Sequence, residues 1–307
     1  MVEFDYLQPA SLEEALSILA VYQDRGEREG VYLLAGGTDL VPRLNRRALR
    51  PKAVVDLSGA ENMRGLLIEA GRVRIGALVT HTELTKSAVL AEKGRILAQA
   101  AGVVGSPQIR NRGTIGGNLA NASPAADTAP ALMVLGARVK LARRSQERFL
   151  PLEEFFLGPG RTAITGDEVI SEIIFDQTQP GQGASFHKLG KRNAQAISVA
   201  SAAVFVEVEK AREAFKRVRI ALGAVGPTPL RLKAAEEALI GQPVSHKIIR
   251  EAAQLVAENI HPITDIRATA QYRKMVAAAL FERAMLEALA QAGYRGQAAQ
   301  TSKRGKG

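Results

Sequence analysis

Two short segments, each centred on a pair of adjacent glycines and separated by about eighty residues, constrain the fold of this chain most. The first runs from Leu33 to Leu40 and the second from Gly113 to Asn118. Adjacent glycines lack two Cβ atoms and permit positive φ, so the backbone can approach a ligand closely with its N–H groups exposed. Successive amides turned to one side form a nest that suits a pyrophosphate. Two such turns can hold opposite sides of one dinucleotide.

The residues beside both glycine pairs favour a binding site over a plain turn. A single Gly-Gly after an apolar run is usually only a turn between strands. Here residues 31–34 predict a strand, and Thr38 and Asp39 place polar groups directly after the first turn. Thr114 and Asn118 bracket the second turn in the same way. For Asp39, ligand contact and ordinary turn capping both remain open, because Asp often bonds the backbone two residues on.

Composition places the chain among ordinary globular proteins. Its 307 residues suffice for two or three modest domains, with 46% hydrophobic and 23% charged residues. The absence of cysteine excludes disulfides and any cysteine-ligated iron–sulfur cluster on this chain. No stretch reaches the ~20 apolar residues that span a bilayer, and the N-terminus lacks the pattern of a signal peptide. We therefore expect a cytoplasmic protein with no membrane span.

The net charge of +10 raises the question of nucleic-acid binding. A basic cluster lies between Arg43 and Lys52, but no aromatic residues are interleaved with it and tryptophan is absent. No zinc-finger or RNA-recognition motif occurs. The sequence therefore predicts no nucleic-acid partner. A solvated basic face, a surface for an acidic partner subunit and a region that steers an anionic nucleotide remain open.

The first part of the chain predicts two lobes. Ser11 and Glu14 have the spacing of a capping box and predict a helix to about Tyr22. With short strands at 31–35 and 53–57, this gives a β-α-β lobe over residues 1–56. A second, larger α+β lobe is expected over 57–178.

That second lobe opens with a hairpin between residues 66 and 75. Thr80 and Glu83 repeat the capping-box spacing and predict a helix toward Val89. A helix over 93–103 and another from Asp127 to Leu135, ended by a glycine, are also expected.

A polar segment rich in proline and glycine, 177–183, predicts a domain boundary. The following region, 184–292, is expected to be a smaller α+β domain with helices on one sheet face. Residues 293–307 are expected to be a disordered tail. The elements expected in this domain are strands at 184–189, 197–207 and 218–224, followed by helices at 231–239, 246–259 and 267–292.

Several common motifs are missing from the sequence. No G-x-G-x-x-G, Walker A or H-E-x-x-H string occurs, which argues against a Rossmann dinucleotide site, a P-loop and a zinc protease site. The histidines are scattered, and each is interpreted as structural or exposed: His81, His187, His246 and His261.

The strings LLAGGTDL at 33–40 and RNRGTIGGNLANASPAADTAP at 110–130 resemble the FAD-binding medium subunit of the molybdenum hydroxylase family, of the carbon monoxide dehydrogenase and xanthine dehydrogenase type. The resemblance covers nearly the whole chain. It implies an α+β fold with two domains. Residues 1–178 would form a two-lobed FAD-binding domain of the vanillyl-alcohol-oxidase/PCMH type. Residues 184–292 would form a domain of the carbon monoxide dehydrogenase flavoprotein type, with a three-stranded antiparallel sheet.

The same resemblance implies FAD as the cofactor and assigns residues to it. Val104 departs from the aromatic residue of xanthine dehydrogenase, and Ser198 stands where the family carries a lysine near the flavin. Asp127 is compatible with a plain helix N-cap and Ile170 with a plain strand core, and both alternatives stay open. The residues assigned to FAD are Leu33, Leu34, Ala35, Gly36, Gly37, Thr38, Asp39, Leu40, Val104, Thr114, Ile115, Gly116, Gly117, Asn118, Asp127 and Ile170.

The implied function is that of an electron-transfer subunit of an oxidoreductase. A large molybdopterin-binding subunit and a small 2Fe-2S subunit are the implied partners, and NAD or another molecule is the implied acceptor. No catalytic side chain and no metal ligand are expected on this chain. A self-contained FAD-dependent reductase of the UDP-N-acetylenolpyruvoylglucosamine reductase type is the alternative, and a non-enzymatic binding module is a third possibility.

Overall fold

The structure is a computed structural model that describes residues 3–192, 195–209, 211 and 213–294. The expected tail, apart from its first two residues, lies outside the described residues. The strands are β1 (Asp5–Leu7), β2 (Val31–Leu34), β3 (Ala53–Asp56), β4 (Leu66–Glu69), β5 (Arg72–Gly76), β6 (Arg138–Arg143), β7 (Gln146–Pro151), β8 (Phe156–Gly158), β9 (Arg161–Thr162), β10 (Val169–Asp176), β11 (Gln182–Gly190), β12 (Ser198–Glu209), β13 (Ala214–Gly223) and β14 (Leu230–Arg231).

The helices alternate with these strands along the chain. Two short 3₁₀ turns, Leu57–Gly59 and Glu61–Met63, follow β3. The helices are α1 (Leu12–Asp24), α2 (Leu40–Asn45), α3 (His81–Lys86), α4 (Ala88–Lys93), α5 (Arg95–Gly102), α6 (Pro107–Arg112), α7 (Ile115–Ala120), α8 (Thr128–Leu135), α9 (Leu152–Phe155), α10 (Lys233–Leu239), α11 (His246–Glu258) and α12 (Ala270–Gln291).

The first sheet is parallel, with strand order β1-β3-β2. All four residues of its central strand β3 are buried, which is typical of a strand covered on both faces. The Ser11 hydroxyl accepts a hydrogen bond from the Glu14 amide at 3.2 Å, as the capping spacing predicts. Helix α1 then runs two residues past the expected end, to Asp24.

The second sheet is antiparallel, with strand order β4-β5-β10-β6-β7. Thr80 and Glu83 form a complete capping box at the start of α3, as their spacing predicts. The helix ends at Lys86, earlier than expected, because Ser87 caps a new helix by accepting from the Leu90 amide.

The third sheet corrects the expected strand count. It has four antiparallel strands in the order β11-β12-β13-β14, not three. Strand β14 pairs with Ala221 and Leu222 of β13. It contains only two residues, too few to show a hydrophobic period in the sequence, and it delays the start of α10 to Lys233.

Successive side chains of β12 point to opposite faces of the third sheet, which explains how this sheet packs against the rest of the molecule. Ala202, Val204 and Val206 pack into a core formed with α11 and α12. Ala203 and Phe205 point to the opposite face and pack into the core of the first two sheets. The third sheet is therefore covered on both faces and separates a core shared with α11 and α12 from the core of the first two sheets.

None of the helices in the described part of the chain combines the length and the apolar character needed to cross a membrane. Within the same residues, no group of three or more histidine, aspartate or glutamate side chains is arranged to hold a metal ion.

Candidate functional site: a cleft between the two glycine segments

The first glycine segment is an open turn between β2 and α2. Gly37 has φ of +74°, the left-handed conformation that glycine adopts without strain. Gly36 has no such requirement, but a Cβ placed on it would lie 1.9 Å from the carbonyl oxygen of Arg112. Gly36 is therefore required for close contact between backbones, because any side chain would overlap the residues that precede the second segment.

The amides of the first segment are available to a ligand. Within the described part of the chain, the N–H groups of residues 36–39 donate no hydrogen bond to protein. The same residues line a cavity of about 400 Å³. Unpaired amides facing a cavity are the donors that an anion nest requires. The first segment therefore has the free donors that a diphosphate site would need, and its assignment to FAD stays a prediction.

The second glycine segment differs from the expected turn, because it forms the first turn of helix α7. The Thr114 hydroxyl caps this helix and accepts from the Gly117 amide at 3.1 Å. The amides of Ile115 and Gly116 donate to the carbonyl oxygens of Val79 and Ala77, each at 2.9 Å. These three amides are committed within the protein, so the expectation of a second anion nest is wrong for them.

The two glycines of the second segment have different surroundings. A Cβ on Gly116 would lie 2.6 Å from the Ala77 Cβ and 2.8 Å from its carbonyl oxygen. A Cβ on Gly117 would meet only the Thr114 hydroxyl closely, at 2.9 Å, and Gly117 lines the same cavity as the first segment. Gly116 therefore permits packing, whereas Gly117 leaves space on the cavity side.

Both segments meet in space. Besides the contact of Gly36 with Arg112, the side-chain amide of Asn121 donates to the Asp39 carboxylate at 3.2 Å. Asp39 precedes α2 but caps it with no side-chain hydrogen bond. Its carboxylate instead joins the first segment to the end of α7, so the interpretation of Asp39 as a turn cap is wrong.

A second and larger cavity, of about 610 Å³, continues the cleft toward the C-terminal helices. The two cavities share part of their walls, so they lie side by side and are together called the cleft below. The shared residues are Asp39, Val104, Asn118 and Asn121.

Twelve of the sixteen residues assigned from the sequence line this cleft, and four do not. Ile115 and Ile170 are core residues, 0% and 5% exposed, and the Gly116 backbone packs on Ala77. Leu34 is partly buried behind Gly37. The structure therefore places these four outside the cavity walls. Those along the cleft are Leu33, Ala35, Gly36, Gly37, Thr38, Asp39, Leu40, Val104, Thr114, Gly117, Asn118 and Asp127.

Asp127 lies in a buried polar cluster at the wall of the larger cavity. It precedes α8 without capping it by a side-chain bond; its two carboxylate oxygens accept from Lys188 and Ser198 instead. Burial raises the pKa of Asp127, while the nearby Lys188 and Ser198 act in the opposite direction. The interpretation of Asp127 as a plain N-cap is therefore wrong.

Arg273 is a second buried group at this cavity that the sequence interpretation missed. It is 3% exposed and donates to the carbonyl oxygens of Val199 and Ala224, and it pairs with Asp265 at 2.8 Å. These hydrogen bonds fix the ends of β12 and β13 against the last helix. Lys188 and Arg273 were missed, and no contact was assigned to Ser198, because no local spacing marks residues that meet only after folding.

His81 also lines the smaller cavity, although the sequence suggested no more than a structural or exposed role. It is only 2% exposed. Burial, followed by the charge of Arg110, lowers the pKa of His81 to about 4, so the ring is neutral near neutral pH.

Two family models together match most of the chain. Residues 2–178 match the FAD binding domain in molybdopterin dehydrogenase, and residues 185–288 match the CO dehydrogenase flavoprotein C-terminal domain. This chain belongs to the FAD-binding subunits of the molybdenum hydroxylase family. It is thus an oxidoreductase subunit whose cofactor is FAD.

Relatives in this family align over nearly their full lengths. The nicotinate dehydrogenase FAD-subunit of Eubacterium barkeri is 33% identical over 294 residues, which is 95% of this chain and 98% of the relative. The carbon monoxide dehydrogenase medium chain of Hydrogenophaga pseudoflava is 30% identical over 282 residues, 92% of this chain and 96% of the relative. A solved structure of carbon monoxide dehydrogenase from the same organism superposes with a TM-score of 0.88 at 31% identity, covering 94% and 98% of the two chains.

The residues present fit FAD. The first segment offers unpaired amides to an anion, and Gly117 keeps the facing wall free of side chain. The Asn118 side-chain oxygen accepts from the Thr128 hydroxyl at 2.6 Å, which fixes the orientation of that amide at the junction of the cavities. The cleft therefore has the donors that a diphosphate requires and cavities of about 400 and 610 Å³, a size typical of cofactor sites.

Proposed function

We propose that this chain is the electron-transfer flavoprotein of a multi-subunit molybdenum hydroxylase. In this proposal it accepts electrons from iron–sulfur clusters on a small 2Fe-2S subunit and passes them to NAD or another acceptor. Substrate oxidation takes place on a large molybdopterin-binding subunit. The match to the FAD-binding family model over residues 2–178 is the observation that carries the proposal. The lack of cysteine supports it, because such clusters must then lie on another chain.

The first glycine segment is the proposed diphosphate site. Its free amides at Gly36, Gly37 and Thr38 would donate to phosphate oxygens, and the Asp39–Asn121 hydrogen bond would hold the turn in place. FAD supplies the reversible redox chemistry when bound, whereas the protein supplies binding, orientation and electrostatics. No acid, base or nucleophile of this chain is required for that role.

The larger cavity is the proposed flavin end of the site. Val104 and Asn118 lie where the two cavities meet, and Asp127 stands on the far wall with Lys188 and Ser198 behind it. This buried cluster would keep a carboxylate in one orientation toward the cavity. Its hydrogen bonds leave little freedom for Asp127 to turn away, which favours a positioning role.

The domain organisation is part of the proposal. The first two sheets end at Asp176 and the third begins at Gln182, which supports domains at 1–178 and 184–292. The designation as a vanillyl-alcohol-oxidase/PCMH-type fold and the cytoplasmic location remain predictions from the sequence. The names of the relatives mention nicotinate and carbon monoxide, and no substrate is assigned to this chain on that ground.

A titration of the full-length apoprotein with FAD tests the proposal first. We expect one FAD per chain with a flavin absorbance spectrum. Chemically reduced, FAD-loaded protein is then mixed separately with NAD⁺ and with a quinone, and reoxidation of the flavin is followed by absorbance. Rapid reoxidation by either acceptor supports electron transfer; a chain that takes up no FAD overturns the proposal.

The self-contained reductase makes a different prediction. A reductase of that type would consume a reduced nicotinamide with its own substrate in the absence of any partner chain. We expect the isolated, FAD-loaded chain to show no such turnover with UDP-N-acetylenolpyruvoylglucosamine. Sustained turnover would contradict the proposed function and show that the chain is a self-contained reductase.

A further inference from the structure

His81 is a buried polar side chain that none of the interactions described so far uses. It is the first residue of α3, and its amide donates to the Gly113 carbonyl oxygen at 3.0 Å. Its ring is 2% exposed and lines the smaller cavity together with Thr38 and Thr114. A histidine enclosed in this way costs free energy unless its ring nitrogens find partners.

The two ring nitrogens of His81 have different environments. Nδ1 is fully enclosed and, within the described residues, has no hydrogen-bond partner. Nε2 also has no protein partner there, but it is not among the fully enclosed atoms. Because a buried N–H without an acceptor is costly, the proton belongs on Nε2. The ring therefore presents an unused N–H donor on its cavity side.

Gly113 brings the backbone close to both the His81 ring and the Thr38 hydroxyl. A Cβ on Gly113 would lie 3.2 Å from His81 Cδ2, the ring atom bonded to Nε2, and 3.5 Å from the Thr38 hydroxyl oxygen. The imidazole edge and the Thr38 hydroxyl thus border the same gap. The free amides of residues 36–39 line the same cavity. Arg43 lines this cavity as well, and the Asp39 carboxylate there is paired with Asn121, an arrangement that suits an anion.

From this geometry we infer that His81 is a further cofactor-binding residue, whose Nε2–H donates to a phosphate oxygen of FAD beside the first glycine segment. The inference rests on the proposed placement of the FAD diphosphate at that segment. His81 would act as a neutral donor that supplements the backbone amides, so that the diphosphate is held by α3 as well as by the first glycine segment.

Two substitutions separate the ring nitrogens. The side-chain amide of glutamine reaches about as far as Nε2, whereas that of asparagine reaches only as far as Nδ1. We expect His81→Asn to weaken FAD binding by about 10- to 100-fold, the loss of a hydrogen bond to a charged group. His81→Gln should keep the affinity within about threefold of the wild type. His246→Gln, at an exposed position outside the cleft, is the control and should change nothing.

The wild-type chain offers a test that does not depend on the folding of variants. Protein labelled with ¹⁵N at histidine carries only four such residues. FAD and ADP, which both carry a diphosphate, should shift the His81 Nε2 resonance, and riboflavin should not. Arg110 and Arg43 are the cations near this ring, and Asp39 is the nearby carboxylate, so the titration is run at one pH and fixed salt.

The outcomes distinguish this inference from the proposed function. Wild-type protein that binds no FAD would overturn the function itself. Wild-type protein that binds FAD, combined with equal affinities of the His81→Asn and His81→Gln variants or an unmoved Nε2 resonance, would overturn the role of His81 alone.

Discussion

The two glycine segments look alike in sequence but differ in what their backbone does. The first is an open turn whose amides at 36–39 donate to no group in the part of the chain that the structure describes. The second is a helix start whose amides at 115–117 are all bonded inside the protein. A Gly-Gly pair therefore does not by itself predict a nest. Thr114 causes the difference between the two segments, because an N-cap residue commits the amides that follow it to a helix.

Substitutions of the glycines in the two segments should therefore have different effects, some on the stability of the fold and some on FAD binding. The contacts around each glycine separate packing from binding: Gly36 and Gly116 meet backbone, whereas Gly117 faces the cleft. Positive φ, which the sequence suggested for Gly36 and Gly117, occurs only at Gly37 among the glycines of both pairs.

The largest effect is expected from Gly36→Ala. Its Cβ would overlap the Arg112 carbonyl oxygen at 1.9 Å, so the two segments must separate. We expect a loss of about 4 kcal/mol in the free energy of unfolding, as for other overpacked sites, and no FAD uptake. Urea denaturation and FAD titration measure both. Gly26→Ala, at an open position with φ of +67°, is the control and should cost only about 1 kcal/mol.

Lys188→Met should give the next largest effect, because it leaves the buried Asp127 without its cation. Breaking one partner of a buried ion pair costs about 3 kcal/mol. The double variant Lys188→Met/Asp127→Asn removes both charges and should recover part of that loss in urea denaturation. If the single variant is as stable as the wild type, the ion pair contributes nothing to holding the larger cavity.

The free energy of unfolding should depend on pH through His81, whose amide donates to the Gly113 carbonyl oxygen. The folded-state pKa is lowered to about 4 against the ordinary 6.5, so the unfolded chain binds the proton first as pH falls. His81 therefore stabilises the fold fully above pH 6.5, and this contribution is lost as pH falls toward 4. Between pH 7 and pH 5 the loss is about 2 kcal/mol, from about 1.4 kcal/mol per pKa unit.

Comparison with a variant isolates this contribution from that of the carboxylates. The difference in unfolding free energy between the wild type and His81→Gln should change with pH in that window, as followed by urea denaturation. An identical pH dependence in the two proteins would mean that His81 keeps its ordinary pKa.

The smallest and most selective effect is expected from the adjacent pair Gly116 and Gly117. Gly116→Ala would crowd Ala77 and should lower apoprotein stability by about 2 kcal/mol.

Gly117→Ala should keep apoprotein stability within about 1 kcal/mol, because the helix propensity of alanine offsets the contact with Thr114. Its FAD affinity should fall about tenfold, and equal FAD affinity in Gly117→Ala and wild-type protein would place the cofactor elsewhere.

Local features of the fold were predictable from the sequence, because their cause lies within a few residues. The capping box of Thr80 and Glu83 follows from a spacing of three residues, and the C-terminal helices follow from an apolar period. Strand β14 was not predictable, since two residues show no period. Helix α7 was missed because glycines are poor helix formers, and only the cap at Thr114 indicates it.

The same distinction between local and long-range causes applies to the candidate site. The first segment could be predicted because its ligand-facing groups are consecutive in the chain. The partners of Asp127 could not, because Lys188 is 61 positions away and meets it only when the third sheet packs against α8. The neutral state of His81 likewise depends on burial, which a single histidine in a sequence does not reveal.

Arg273 lies on the last helix of the described chain, yet it lines the larger cavity and ties β12 and β13 to Asp265. Any chain in which α12 has not yet packed against the third sheet lacks this wall. We therefore expect the proposed FAD site to be among the last parts of the fold to form, so that FAD binds only after the C-terminal helix has docked.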